Sequence, residues 1–297
     1  MAKLPLEDVR VVDMTIVWAG PYTTALLADL GAEVIRVEST RFYPPITRGF
    51  MAHPSEEVIK NQLVWLGGLP DRKIGDRPWN RAPLFNSHAR NKLSMTVDLL
   101  QPSGKDVLSR LVGMSDVFIE NTAMGTMEKL GITYDWLKES RPDIIMVRMP
   151  AFGSTGKYSH YRAMGQMVED VAGHTSLRGY TDMDATGVTS AFTADAGAGV
   201  GAAFAVLAAL HHRRRTGKGQ FVELAMVENF LPYLGEAIMD YNLNGRIRST
   251  LGNRHPYAIQ GCYPCMGEDR WVNITIYNDS HWEGFCKVLG NPEWTQD

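Results

Sequence analysis

VRVVDM at residues 9–14, WAGP at 18–21 and EVIRV at 33–37 are the segments that decide the fold. The first and third are short apolar runs of the kind that form buried strands. Between them, an apolar stripe with helical spacing ends at Gly31. This strand-helix-strand order predicts a parallel sheet with a right-handed crossover.

The same alternation of strand and helix patterns returns further along the chain. We predict further strands at 93–99, 116–120, 144–149 and 219–226, and helices at 103–114, 124–130, 134–140, 163–172, 195–215 and 227–244. The chain is therefore predicted to be an α/β protein, with about six strands in one doubly wound parallel sheet.

The pattern changes after residue 244. The segment 246–263 is predicted to be a loop, and a strand at 270–276 and an amphipathic helix at 279–289 follow it. We therefore predict a large domain over 1–244 and the start of a smaller α+β domain over 245–297. This strand and helix would bury too little area to be stable alone, so we expect the second domain to be incomplete in this chain.

Composition limits the kinds of partner. The 297 residues include 30 Lys and Arg against 33 Asp and Glu, a net charge of -3 that favours neither nucleic acid nor an acidic membrane. An anionic ligand must therefore be bound by a local site. Three cysteines and a first segment without the pattern of a signal peptide predict a cytoplasmic protein. The apolar stretch 194–210 contains Asp195 and is short for a membrane span, so we predict a buried helix.

Two familiar motifs are incomplete. The turn after the first strand has Gly20 followed by Pro21, which lacks an N–H, and it has none of the other glycines of a dinucleotide-binding fingerprint. Cys262 and Cys265 are not accompanied by a second cysteine pair, so no metal site is predicted.

A set of short stretches shows a resemblance that extends over essentially the whole chain. The stretches are VVD at 11–13, AGP at 19–21, LADLGAEVIRVE at 27–38, RNK at 90–92, DVFIEN at 116–121 and TGKGQ at 216–220. In this order and spacing they resemble the class III CoA-transferases, a family that includes formyl-CoA transferase, carnitine CoA-transferase and α-methylacyl-CoA racemase. The resemblance implies a Rossmann-like large domain, a smaller second domain and two interlocked chains.

The resemblance also implies a ligand and its contacts. Coenzyme A or an acyl-CoA would be the substrate, with no tightly bound cofactor, and it would lie across the carboxyl ends of the strands. By position, the nucleotide and pantetheine would lie beside Ile16, Val17, Trp18 and Ala19. The polar and cationic contacts would be Arg36, Asn91, Lys92, Asn121 and Lys129. The cations among them suit the phosphates of CoA.

The family chemistry begins with an aspartate that attacks the acyl-CoA thioester. Counted from Ala172 and Gly173, the expected position of that aspartate is Gly165, which has no carboxylate. Glu169 and Asp170 lie about one helical turn further on and are the candidates to replace it.

Three functions remain open from the sequence. The chain could move CoA between an acyl-CoA thioester and a free carboxylic acid, as an interlocked homodimer or as one subunit of a heteromer with an Asp-bearing homologue. It could be an acyl-CoA racemase, isomerase or lyase that uses Asp195 as its base. The glycine at position 165 also allows a non-catalytic CoA-binding subunit.

Overall fold

The computed structural model describes residues 3–39, 41–44, 46–49, 51–61, 68–69, 71–188 and 192–295. The chain divides into two compact units. The first comprises Met1–Ala172 and Ala191–Tyr233, and the second comprises Gly173–Ser190 and Leu234–Asp297.

The first unit is built on a parallel sheet of six strands in the order β3-β2-β1-β4-β5-β6. The strands are β1 (Arg10–Asp13), β2 (Glu33–Glu38), β3 (Lys92–Thr96), β4 (Val117–Glu120), β5 (Ile145–Arg148) and β6 (Phe221–Glu223). The predicted α/β class and the doubly wound parallel sheet are confirmed. Most observed strands are shorter than the predicted ones, because the apolar sequence used to predict each strand extends into the adjoining loops.

Helices connect the strands of the first unit. They are α1 (Ala19–Asp29), α2 (Glu56–Asn61), α3 (Pro83–His88), α4 (Pro102–Gly113), α5 (Thr126–Lys129), α6 (Tyr134–Ser140), α7 (Gly165–Ala172), α8 (Thr193–Thr216) and α9 (Met226–Phe230). The central strands are buried, as a parallel sheet covered on both faces requires, and Phe118 and Met146 are fully shielded from solvent.

Helix α8 packs closely on α1. A Cβ atom on Gly199 would come within 3.2 Å of the carbonyl oxygen of Ala19, so the glycine permits the close approach of the two helices. The helix ends at Gly217, whose φ of 70° is the left-handed conformation of a helix C-cap. By length and composition α8 could cross a membrane, but 56% of its most apolar window is buried within the fold. The prediction of a buried helix is consistent with this packing.

The second unit is a small α+β assembly. Strands β7 (Ile259–Pro264) and β8 (Trp271–Ile276) form an antiparallel pair, and α10 (Gly235–Asn244) and α11 (Asp279–Val288) belong to the same unit. The segment predicted as a loop over 246–263 therefore ends in a strand. That strand depends on its pairing with β8, which local sequence patterns do not reveal.

The units divide the chain elsewhere than at the boundary predicted between residues 244 and 245. Residues 173–190 and 234–244 group with the second unit. The helix predicted over 227–244 is broken, because Pro232 lies in a 3-10 turn at Leu231–Leu234 and lacks the N–H that a continuous helix needs. That the second domain is incomplete stays a prediction.

A buried ion pair links three elements of the first unit. The Lys92 ammonium on β3 lies 3.1 Å from an Asp13 carboxylate oxygen at the end of β1. It also donates to Thr24 Oγ1 and to the carbonyl oxygen of Pro21 on α1, at 2.7 and 2.8 Å. Burial works against ionisation of Asp13, but the positive charges of Lys92 and Arg36 outweigh it and hold its pKa below the ordinary value.

Replacing Lys92 is expected to destabilise the first unit. Lys92→Met leaves the buried Asp13 without its ion-pair partner and with only the charge of Arg36 nearby, which costs about 3–5 kcal/mol of unfolding free energy. Urea unfolding followed by circular dichroism measures the loss, with the exposed Lys129→Met as the matched control. Equal stability of the two variants would contradict this account of the pair.

Candidate active site

The carboxyl ends of four strands surround a cavity of about 510 Å³. Its walls come from the segments that follow β1, β4, β5 and β6, namely 16–19, 121–125, 149–152 and Met226. Strands β1 and β4 are neighbours in the sheet but not in the sequence, so the chain leaves them in opposite directions. A crevice at such a point is where doubly wound sheets bind ligands. Because Asp195 also lines it, we name this space the Asp195 cavity.

A second cavity of about 520 Å³ lies at the ends of β1 to β4, and we name it the Arg36 cavity. Its charged lining residues are Arg36, Arg41, Arg162, Glu38 and Asp98, with Arg36 beside Glu38 and Arg41 beside Asp98. Its apolar walls include Phe42 and Leu99. Ile16, Thr122, Ala123 and Arg162 line both cavities, so the two spaces adjoin one another.

The carboxylate of Asp195 lies in the first turn of α8 and is only 7% exposed. Burial raises its pKa to about 7, the negative charge of Glu169 adds to the rise, and a hydrogen bond from the backbone N–H of Gly165 opposes it. A Cβ atom on Gly165 would overlap this carboxylate. The absence of a side chain at position 165 therefore makes room for Asp195.

The two other candidate carboxylates do not line the Asp195 cavity. Glu169 is fully buried on α7, where its Oε1 accepts a hydrogen bond from the backbone N–H of Ala194 at 3.2 Å. Asp170 follows on the same helix and is exposed. Successive helical residues point about 100° apart, so these two side chains cannot both face one space. Of the three predicted carboxylates, the structure brings Asp195 to the cavity.

The loop after β1 has a fixed shape. The Asn121 side chain accepts a hydrogen bond from Ile16 N at 2.8 Å and donates one to Ile16 O at 2.9 Å. Val17 has a φ of 67° and donates its N–H to Thr47 Oγ1 at 2.8 Å. The predicted residues Ile16, Val17, Trp18 and Ala19 thereby line the Asp195 cavity together with Asn121.

The predicted polar and cationic contacts of CoA, apart from Asn121, do not line the Asp195 cavity. Arg36 lines the second cavity, where it is buried beside Glu38. Lys129 is exposed on α5, next to the cavity residue Leu130. Asn91 and Lys92 line neither cavity, because Asn91 donates to Asp29 and the Lys92 ammonium is buried on Asp13. Both side chains therefore have structural partners within the fold, and their role as phosphate contacts stays a prediction.

Sequence reasoning missed Arg162, which lines both cavities. The only available signal was a basic residue three positions before Gly165. No group of three His, Cys, Asp or Glu side chains within the described part of the chain could hold a metal ion.

Comparisons with known proteins identify the family of the chain. The model of CoA-transferase family III matches residues 6–297. Succinyl-CoA–D-citramalate CoA-transferase of Chloroflexus aurantiacus is 33% identical over 294 residues, 99% of this chain and 67% of that protein. Succinyl-CoA:mesaconate CoA-transferase of Haloarcula hispanica is 32% identical over 300 residues, 98% of this chain and 69% of that protein.

Solved structures give the same relationship. A CAIB/BAIF family protein from Brucella suis superposes with a TM-score of 0.83 at 29% identity, covering 100% of this chain and 72% of that one. The chain thus spans about two thirds of the length of these relatives. The resemblance found in the sequence is confirmed, and the chain belongs to CoA-transferase family III.

Proposed function

We propose that this protein is a CoA-transferase that moves coenzyme A from an acyl-CoA thioester to a free carboxylic acid, with Asp195 as the attacking carboxylate. The observation that carries the proposal is the buried Asp195 carboxylate on the wall of a cavity at the carboxyl ends of the strands. Membership of CoA-transferase family III supports the reaction class.

The reaction requires one carboxylate that forms an anhydride with each acid in turn and, between these steps, a thioester with CoA. An oxygen of Asp195 would attack the acyl carbon, the C–S bond would break, and CoA thiolate would leave a mixed anhydride on Asp195. The thiolate would attack the Asp195 carbonyl carbon and release the first acid, which leaves CoA bound to the enzyme as a thioester. The acceptor acid would form a new anhydride at Asp195 and release thiolate, which would then take the acceptor acyl group and free the carboxylate.

The start of α8 favours this role for Asp195. The unpaired N–H groups and partial positive charge of a helix N-terminus stabilise a nearby negative charge. The backbone N–H of Gly165 already points at the Asp195 carboxylate. Because this carboxylate fills the space beside Gly165, the reaction needs neither Glu169 nor Asp170 as a displaced nucleophile.

The two adjoining cavities suit the two ends of acyl-CoA. The apolar walls of the Arg36 cavity would hold the adenine, and its basic side chains would bind the phosphates. The pantetheine and thioester would pass Ile16 and reach the Asp195 cavity. Lys129, exposed beside this path, stays a proposed contact of the phosphates.

Assembly and location follow from family membership as proposals. We propose an interlocked dimer that acts in the cytoplasm, and a heteromer with an Asp-bearing homologue remains the alternative. Large exposed apolar side chains on both units support association: Phe204 is 71% exposed on α8 of the first unit, and Ile247 is 84% exposed in the second.

A second reaction uses the same carboxylate. A pKa of about 7 for Asp195 also suits a general base that removes an α-proton of an acyl-CoA, as in a racemase or isomerase. A non-catalytic CoA-binding subunit would have no use for a buried carboxylate that disfavours folding when ionised.

Asp195→Asn is expected to abolish transfer, because an amide cannot form the acyl anhydride. Wild-type protein incubated with an acyl-CoA and trapped with hydroxylamine should carry the adduct on the peptide that contains Asp195. Activity assays and peptide mass spectrometry measure both results. Asp170→Asn, an exposed neighbour of the site, is the matched control and should keep full activity.

The other reactions give different outcomes in the same experiment. α-Proton exchange in deuterated water that Asp195→Asn abolishes, without any adduct, would establish the isomerase. An adduct on Glu169 or Asp170 would contradict the assignment of Asp195.

Activity is expected to rise with pH and to level off above a midpoint of about 7, because only ionised Asp195 attacks and burial raises its pKa to about 7. The kcat/KM for the acyl-CoA measured over about pH 5 to 9 gives the midpoint. Glu169→Gln removes the negative charge that adds to the rise, so the midpoint should move to lower pH. A profile that falls through pH 7 would contradict attack by this carboxylate.

Arg162→Gln is expected to raise the KM for acyl-CoA by about tenfold or more, because a charge-assisted hydrogen bond to phosphate is lost. Steady-state kinetics at two salt concentrations measure the effect, which should shrink at high salt. Lys138→Gln is the matched control, since Lys138 is paired with Asp135 on α6 and lines neither cavity. An unchanged KM would remove Arg162 from the CoA path.

A further inference from the structure

Trp18 forms part of the wall of the Asp195 cavity and is held by a cluster of aromatic side chains. The His88 and Tyr22 rings meet the indole edge-on, with centroids 4.5 and 5.4 Å from that of Trp18. The Phe192 ring lies parallel to it, at 5.8 Å and an interplanar angle of 4°. Contacts on several sides fix the orientation of the indole.

Phe192 connects this cluster to the reactive end of α8. It is the N-cap residue of that helix, three positions before Asp195, and its φ of 52° lies in the left-handed region that residues other than glycine rarely adopt. In this backbone conformation, the Phe192 ring stacks on the Trp18 indole. The indole is therefore tied to the helix end that positions the Asp195 carboxylate.

The cluster offers aromatic surface without charge. His88 is only 6% exposed, and its burial together with the nearby charges of Lys92 and Arg90 lowers its pKa to about 4. At neutral pH the imidazole is thus uncharged and cannot pair with an anion.

Charge is scarce in the rest of the Asp195 cavity as well. Among the described residues that line it, Asp195 and Arg162 are the only acidic or basic side chains besides His160. Arg162 also lines the Arg36 cavity, where the proposed function places it on the CoA phosphates. The uncharged lining residues include the apolar side chains Ile16, Val17, Met149, Phe152 and Met226 and the polar side chains Asn121, Thr122, Ser154, Ser159 and Tyr161.

We infer that Trp18 is a specificity-determining residue, and that the acid exchanged at this site is a monocarboxylic acid whose apolar or aromatic body packs on the Trp18 indole. The inference rests on the proposed function. Once the CoA phosphates occupy Arg162, the described residues that line this space offer no other lysine or arginine. A second carboxylate would then lose its hydration close to Asp195, whereas an apolar body would gain from leaving water.

Direct binding of acids to the protein in the presence of saturating free CoA tests this inference, because CoA then occupies Arg162 as it would during the reaction. Isothermal titration calorimetry compares phenylacetate and hexanoate, which have apolar bodies, with succinate, which has a second carboxylate. The wild type should bind the two apolar acids about tenfold more tightly than succinate. Trp18→Ala should lose about tenfold in affinity for phenylacetate and little for succinate, while Trp18→Phe should keep most of the preference.

Two controls separate packing on the indole from damage to the fold. Trp136→Phe makes the same change of ring on α6, where Trp136 lines neither cavity, and should bind all three acids as the wild type does. Thermal unfolding is measured for each variant. If Trp18→Ala does not fold, Trp18→Leu replaces it, since leucine keeps apolar volume but removes the flat ring face.

The outcomes distinguish this inference from the proposed function. Succinate that binds the wild type as tightly as phenylacetate does would overturn the inference, and so would equal losses for both acids in Trp18→Ala. Because no acyl-CoA is present, binding is independent of the adduct on Asp195. An adduct on Asp195 without a preference for apolar acids would support the proposed transferase and contradict the role of Trp18 in specificity. A preference for apolar acids without an adduct would support the role of Trp18 and contradict the attack by Asp195.

Discussion

The parallel pairing of β1 with β4 is the constraint on which the site depends. The two strands lie side by side, yet the chain runs from β1 towards β2 on one side and from β4 towards β5 on the other. The loops at their carboxyl ends therefore separate and leave a crevice. Two hydrogen bonds between the Asn121 side chain and the backbone of Ile16 connect these two loops. Both cavities adjoin at this crossing, because Ile16, Thr122 and Ala123 line each of them.

The buried carboxylates of the first unit have two opposite electrostatic environments. Asp13 and Glu120 each face a cation, Lys92 and Arg148, and these pairs tie strands to one another and to α1. Asp195 is buried with another carboxylate, Glu169, as its charged neighbour, so its ionised form is disfavoured. A raised pKa means that the protonated form favours the folded state, and that stability is lost as the pH rises through about 7. The ionised Asp195 carboxylate thus disfavours the folded state, whereas Asp13 is held ionised by its neighbouring cations.

Gly165 has no side chain, and its backbone therefore lies close to the first turn of α8. Gly165 brings the start of α7 against the first turn of α8, so that its N–H reaches the Asp195 carboxylate. Any side chain at position 165 would need the space that this carboxylate occupies. The glycine is thereby a feature of the site's geometry, and the carboxylate comes from the neighbouring helix.

The alternation of strands and helices, the parallel sheet and the family could all be predicted from the sequence, because apolar periodicity and short motifs are local properties of the chain. Residues 16–19 and Asp195 were named as site candidates from the family resemblance, and both line the Asp195 cavity, while their roles stay predictions. The burial of the Lys92 ammonium on Asp13 could not be predicted, since a lysine that meets phosphate and one buried on a carboxylate have the same local pattern. Gly165 appeared as a missing carboxylate because residues 165 and 195 meet only when α7 packs on α8. The break at Pro232, the strand β7 and the cluster around Trp18 likewise depend on contacts between distant segments, which tertiary packing alone decides.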